Sequence, residues 1–393
     1  MRKISCSVRR ANVEYMGKVN KTGKKRQWAK ALFLLFNYFA AASLLCSYAA
    51  AYISPLTFWP FAFFGIAYPV LLIINLLFVV IWLILWNRFI FISLLTIFVG
   101  IGNLRTIIPL RFGSIKPASP AAFKVATYNV HSLYGNQADN VQPETRSQVT
   151  DFLAGENPDL VCVQEFYAIG EEYLKTLHKF SRSIRLEYFF FKNYRDFWQK
   201  TKINAIATFS RYPIVDQGFF RLQEKSTFGI FTDIAIHGDT IRVYNLHLES
   251  IRLGNDDYSF YSNLTDPGAD EKNFAKGSRK MLWKLKKAFA LRAMQVEMLT
   301  AHMKYSPYPV LICGDFNDTP SSFAYHTLSR NRNDAFVSSG NEWIGSTYAG
   351  GRFPAFRIDY MLYDDFFTAT SYQKKEVSMS DHYPVISTFT FKH

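Results

Sequence analysis

The chain has 393 residues, 49% hydrophobic and 17% aromatic, and a formal net charge of +14. That charge is uneven: residues 1–30 hold ten Lys or Arg against Glu14, Arg88 stands alone in an apolar region, and only +4 remains beyond residue 104. Such a sum shows no strongly basic face of the kind that grips many nucleic-acid phosphates, although a local patch stays open. The four cysteines have neither CxxC nor metal-ligand spacing. They read as apolar thiols, with a Cys162–Cys313 bridge left open.

In chain order, residues 1–30 read as a basic, irregular cytoplasmic tail. Ala31 to Ile53 carries no charge and is long enough for one membrane helix at about 20 residues per span. A turn with Pro55, Pro60 and interfacial aromatics follows, then a second uncharged run from Phe61 to Trp86. Phe89 to Leu104 is a third, shorter run. Three apolar runs exclude a cleaved signal peptide. The basic residues before the first run place the amino terminus in the cytoplasm, so three spans put the rest of the chain outside it. Residues 105–122 contain Gly113, Pro117 and Pro120 and read as a linker.

From Phe123 onward, short strands alternate with helical segments, so residues 123–393 are expected to form one α/β domain. Strands are predicted at 123–130, 159–164, 188–192, 205–209, 231–236, 241–248, 310–315, 357–363 and 385–391. Helices are predicted at 143–154, 170–180 and 276–304, with a long polar loop at 251–275. Val310-Leu311-Ile312-Cys313-Gly314-Asp315-Phe316-Asn317 organises the region. It is an apolar strand opening into a loop, and Asp315 and Asn317, two apart, share one side of the extended chain. Asn129, Glu165, His247 and Asp359 lie at or beside other strands, and Asp381-His382 precede the last one. This inventory of amides, carboxylates and histidines, with His131 as a further candidate, suits a hard oxygen-bound cation plus acid and base groups. Thiolate ligands and HExxH are both missing from it.

With Thr127-Tyr128-Asn129-Val130-His131, Val161-Cys162-Val163-Gln164-Glu165, Tyr244-Asn245-Leu246-His247-Leu248-Glu249-Ser250, Gly314-Asp315-Phe316-Asn317, Arg357-Ile358-Asp359-Tyr360 and Ser380-Asp381-His382-Tyr383-Pro384 in this order, the chain from about residue 123 resembles the endonuclease/exonuclease/phosphatase (DNase I-like) superfamily. Phe209-Ser210-Arg211-Tyr212-Pro213-Ile214 and Arg292-Ala293-Met294-Gln295 resemble it too. The resemblance implies a four-layer α/β sandwich, two packed mixed sheets flanked by helices, here preceded by transmembrane helices. It implies Mg²⁺ (or Mn²⁺) held by Glu165, with Asn129 and Asp381 beside it. Asp315 and Asn317 would orient water and phosphate, and His382, oriented by Asp359, would act at the scissile phosphate. His247 would serve the leaving oxygen and His131 the substrate. Either His382 or Asp315 takes the proton from water.

The expected activity is membrane-anchored, Mg²⁺-dependent hydrolysis of a phosphoric ester, with a lipid head group favoured as substrate. Metal-dependent nuclease action on nucleic acid is the second choice, and a non-catalytic membrane scaffold the third. No protein partner is implied. Lys202 and Arg352 are candidate phosphate contacts, and the aromatic stretch Tyr188 to Trp198 is half core. Asn263-Leu264-Thr265 matches a glycosylation acceptor.

Overall fold

Alternation along short strands sets the layers of the α/β region. In β1 (Phe123–Asn129), Phe123 and Val125 enter one core while Ala126 and Tyr128 enter another on the opposite face. The computed structural model describes residues 2–109, 121–133, 143–169, 173–194, 202–222, 226–251, 271–342, 345–350 and 356–392.

One six-stranded sheet contains β1, β2 (Leu160–Ile169), β3 (Tyr188–Asn193), β4 (Lys202–Ser210), β11 (Phe367–Lys374) and β12 (Val385–Phe391), in the order β11-β12-β1-β2-β4-β3. The second contains β5 (Ile214–Arg221), β6 (Thr227–Ile236), β7 (Asp239–His247), β8 (Val310–Asp315), β9 (Asn333–Asp334) and β10 (Asp359–Tyr363), in the order β5-β6-β7-β8-β10-β9. The sheets pack face to face through Val125, Leu160 and Cys162 on one side and Val243, Leu311 and Cys313 on the other. Both cysteines are buried free thiols. Helices α6 (Pro143–Glu156) and α7 (Tyr173–Ser183) cover the first sheet with Val149, Leu153, Leu177 and Phe180. Helices α8 (Glu271–Met303) and α9 (Phe323–Ser329) cover the second with Val296, Leu299 and Leu328. The result is helix, sheet, sheet, helix, as expected.

Strand direction gathers the polar ends. β1 and β2 are parallel, as are β7 and β8, so their carboxyl ends lie together within each sheet. β10 runs antiparallel to β8 with Asp359 opposite Asp315, and β12 runs antiparallel to β1, so the residues just before β12 meet the end of β1.

The amino-terminal region departs from expectation. Residues 2–49 form one helix, α1 (Arg2–Ala49), rather than an irregular tail followed by a span. Ser54 caps the short α2 (Pro55–Phe58), and α3 (Pro60–Ile84) follows. Gln27–Ala49 and Pro60–Ile84 are long and apolar enough to cross a membrane. Leu35, Phe39, Val70, Leu77 and Ile84 are exposed on these helices, an arrangement suited to lipid. The third run is not one straight helix. It divides into α4 (Ile90–Val99) and α5 (Ile101–Ile107), bent by 66° at Gly100, and passes as a span only if the pair counts as one. At about 1.5 Å per residue, α4 alone falls well short of a bilayer core of about 30 Å. It is nevertheless built into the bundle. Asn37 Nδ2 donates to Ser93 Oγ, Ser93 Oγ donates to Asn75 Oδ1, and Trp82 Nε1 donates to Asn37 Oδ1. Such buried bonds join helices where apolar faces alone give little preference.

The α/β region packs against this bundle. Ser54 Oγ donates to Glu297 on α8, Phe63 meets Phe289 edge-on, and Tyr52 meets His326. At the other end of the bundle's path, Arg357 Nη2 donates to the Thr106 carbonyl of α5 at 2.8 Å. The α1–α3 turn and the end of α5 therefore lie on the same side. Several sequence expectations lie outside the described residues: Arg352, the Lys202 side chain, Phe197, Trp198, the 263–265 motif, most of the 251–275 loop, and linker residues 110–120.

Candidate active site

The strands end in strained backbone. Glu165 (φ +56°) sits in a break of the β2–β4 register between Val163 and Phe166. A bulge there turns its carboxylate out of the ladder and toward the sheet end. Asn317 (φ +52°) and the run His131, Ser132 and Leu133 (φ +44°, +54° and +60°) are also left-handed. Gly314 has φ +137°, and a Cβ on it would collide with the Leu246 carbonyl, so only glycine lets β8 approach β7 so closely. Non-glycine residues hold such conformations only when their surroundings impose them.

Asp315, almost fully buried, is the hub. Its Oδ1 accepts the Asn317 amide N–H at 2.7 Å, and its Oδ2 accepts Asn129 Nδ2 at 3.0 Å and Asn317 Nδ2 at 3.2 Å. The same Oδ2 lies 3.7 Å from Nε2 of both His247 and His382. Burial raises the Asp315 pKa, against the nearby His382 and His247, which lower it.

Each histidine is held from behind. Asp359 Oδ2 lies 3.0 Å from His382 Nδ1. Burial alone would lower the His382 pKa, but Asp359 and Asp315 outweigh it and raise it well above the usual value, which favours the imidazolium. Thr347 Oγ1 accepts the backbone N–H groups of Ile358 and Asp359 and fixes the start of β10. His247 Nδ1 lies 2.8 Å from the Tyr194 hydroxyl, and its Nε2 lies 3.6 Å from Glu165 Oε1.

His131 and Asp381 form the outer edge. Asp381 Oδ1 is 3.4 Å from His131 Nδ1, and the His131 N–H bonds Asn129 Oδ1. Ser380 Oγ donates to the Asn129 carbonyl and accepts the His382 N–H, tying the turn before β12 to β1. Asn129, His131, Glu165, His247, Asp315, Asn317, Asp359, Asp381 and His382 thus meet at one end of the paired sheets. Asp381 joins the centre through His131 and Ser380.

The sequence pattern of the Endonuclease/Exonuclease/phosphatase family matches residues 126–382, well over half of the chain. The chain belongs to this family. A second pattern, a domain of unknown function (DUF8431), matches residues 30–107. No curated protein is significantly similar in sequence. An endonuclease/exonuclease/phosphatase from Beutenbergia cavernae DSM 12333 is 17% identical, with 69% of this chain and 72% of that chain covered at a TM-score of 0.50, a likeness of fold. The human Nocturnin catalytic domain is 18% identical over 69% of this chain and 94% of its own, at a TM-score of 0.47. A mannosyl-6-phosphatase of Bacteroides thetaiotaomicron VPI-5482 is 16% identical over 68% and 100%, at 0.44.

Members of the endonuclease/exonuclease/phosphatase family are generally phosphoester hydrolases and generally use a divalent metal. The donors here fit a hard cation: they are carboxylate and amide oxygens and imidazoles, and the thiol of Cys313 is buried between the sheets. Asp315, Asp359 and His382 offer ligand atoms within 4.8 Å of one another. The hydrogen bond between His382 Nδ1 and Asp359 accounts for part of that closeness. Glu165, with 25% of its side chain exposed and facing the same His247 nitrogen as Asp315, is the carboxylate still open to an ion.

Sequence reasoning passed over several supports. Gln164 Nε2 donates to Asn245 Oδ1 at 2.7 Å, and Asn245 Nδ2 donates to the Ala207 carbonyl at 2.8 Å, so two amides bolt the sheets together beneath the site. Tyr194 was noted only as one of several aromatics. Its position just past β3, whose carboxyl end lies with that of β2, was the available signal. Arg292 and Gln295 brace the loop after β7, through the Glu249 carbonyl and N–H respectively. Arg211 instead bonds Asp159 at the start of β2, away from the site.

Proposed function

We propose that this chain is a membrane-anchored phosphodiesterase, dependent on Mg²⁺ or Mn²⁺, acting on phosphodiesters of lipid head groups. The observation that carries this reading is the placement of Asp315 Oδ2 at 3.7 Å from Nε2 of two histidines, each with its own orienting partner. One carboxylate between two imidazoles can move protons on both sides of a phosphorus centre.

A divalent ion at Glu165, with Asn129 and Asp381 beside it, would neutralise charge on a non-bridging phosphoryl oxygen. In the reaction we infer, Asp315 accepts a proton from water as the water oxygen bonds phosphorus, and Asn317 orients the phosphate. The imidazolium of His382 stabilises the charge that develops on the phosphoryl group. The bond from phosphorus to the leaving alcohol breaks, and the His247 Nε2–H hydrogen-bonds the departing oxygen, which takes its proton from solvent as Asp315 returns its own to solvent. His131 lines the substrate edge.

The packing of the anchor supports a bilayer substrate. Pro55 and Ala62 line a small recess with Arg292 and Asp318, and Asp318 follows Asn317 directly. A Cβ on Gly65 of α3 would stand 3.1 Å from the Ser321 carbonyl, so the membrane helix presses on the turn that follows the catalytic loop. We take residues 31–104 as the membrane region and 123–393 as the catalytic domain. With α4 and α5 read as a broken third span, the contacts at Ser54 and Thr106 fall on one side of the membrane. The basic residues before the first span favour a cytoplasmic amino terminus and an extracytoplasmic catalytic domain. The test compares hydrolysis of mixed phospholipid and sphingolipid vesicles with single- and double-stranded DNA at matched phosphate. Faster lipid cleavage is expected; faster DNA cleavage, abolished by Asn317→Ala, overturns the substrate and keeps the chemistry.

A further inference from the structure

Helix α8 runs on well beyond the catalytic core. Residues 276–287 contain six Lys or Arg and no Asp or Glu, in a domain region of otherwise modest charge. Within this stretch Trp283 is 59% exposed and Leu282 45% exposed. Lys276, Arg279, Lys280 and Trp283 line one recess of about 630 Å³. A row of solvated lysines accounts for the charge, but it does not account for a tryptophan presented among them.

The helix period shows where this face points. Glu297 bonds Ser54, and the Lys286 ammonium lies 5.0 Å from the Trp59 ring, both at the α1–α3 turn of the anchor. Eleven residues make just over three full turns at about 3.6 residues each, so Glu297 and Lys286 share one seam of α8. Moving toward the amino end in steps of three and four, the same seam reaches Trp283, Arg279 and Lys276. The face that rests on the membrane anchor thus continues, past the last anchor contact, as cations around an exposed indole.

We propose that this face of α8 is a docking surface for anionic phospholipid head groups, which lays the catalytic domain against the bilayer beside its own anchor. Basic side chains with an exposed indole are the composition of an interfacial helix, where lysines meet lipid phosphates and tryptophan enters the head-group layer. The inference deepens the proposed membrane anchoring and rests on it. It also explains how a domain of small net charge finds an anionic surface.

The test uses the full chain in nanodiscs of phosphatidylcholine, alone or with about one-third phosphatidylserine. The readout is quenching by brominated acyl chains of the Trp283 fluorescence, taken as the difference between the native chain and Trp283→Phe. Quenching at least about twofold stronger with the anionic lipid is expected, fading near 1 M salt, where the Debye length falls to about 3 Å. The combined Lys276→Gln, Arg279→Gln, Lys280→Gln and Lys287→Gln chain, with an unchanged circular dichroism spectrum, should lose it. Equal quenching in both lipids, or none while the chain resists carbonate extraction, overturns the docking face alone. Extraction by carbonate overturns the anchor and the docking face together. Protection of Trp283 by a DNA duplex, with no response to phosphatidylserine, assigns the face to nucleic acid instead.

Discussion

The Tyr194 hydroxyl stands between Glu165 and His247. Its oxygen accepts the Glu165 backbone N–H at 2.9 Å and lies 2.8 Å from His247 Nδ1. Burial raises the phenol pKa well above its usual value, so it keeps its proton. With its oxygen already accepting, that proton goes to Nδ1, and the His247 proton is carried on Nε2, toward Glu165 and Asp315. Tyr194 thus holds the tautomer that aims an N–H at the leaving oxygen, and also the strained backbone that aims Glu165.

Tyr194→Phe removes only the hydroxyl. The rate of phosphoester hydrolysis should fall by roughly 10-fold to 10²-fold, at or below the low end of the roughly 10²- to 10⁴-fold ascribed to one acid–base group, because Tyr194 acts only by orienting His247. Combined with His247→Ala, it should cost little beyond His247→Ala alone, because both act through the same proton. A full multiplicative loss in the double variant would separate the two residues.

His382 and Asp359 should likewise act as a unit. His382→Ala should lower kcat by at least about 10²-fold, Asp359→Asn nearly as much, and the pair together little further. The same contact sets a pH dependence of stability. The folded His382 pKa is raised, so its contribution is fully present below the unfolded value of about 6.5 and is lost as pH rises through the folded pKa. In chelator, the Tm advantage of the native chain over His382→Gln should shrink as pH rises across that window. An advantage that grows with pH would mean that the imidazolium is not held by Asp359 and Asp315.

Glu165→Gln keeps the shape and removes the charge of the carboxylate most open to an ion. Activity should fall by orders of magnitude and should demand more Mg²⁺ or Mn²⁺ for half-saturation. Calorimetric titration of metal into the native and Glu165→Gln chains checks binding separately from turnover. Full activity after exhaustive chelation would end the metal assignment.

The broken helix α4–α5 carries the topology. If it crosses, a reporter fused after the carboxyl terminus lies opposite a label on the amino-terminal stretch of α1, and membrane-impermeant reagents reach only one of them. Reagents reaching both from one side would make α4 a re-entrant segment and would require the contact between Ser54 and Glu297 to be remade.

The sequence by itself determined the layered α/β fold and the residue types gathered at its site. Apolar alternation and polar strand ends are local, so β1, β8, β12 and the long helix α8 were legible from spacing alone. The edge strands β5, β9 and β11 were missed, because edge strands are made by their partners more than by their own pattern. Tertiary structure alone decided that residues 89–104 break at Gly100, since composition reports apolarity and not the bend at which two short helices meet. It also decided that Tyr194 faces His247 and that α3 presses on the turn after Asp318. The chain positions involved lie 53 residues apart in the first case. In the second they lie on different elements that only packing brings together. Hydrogen-bond direction and close approach are properties of pairs, and no single residue's identity encodes its partner.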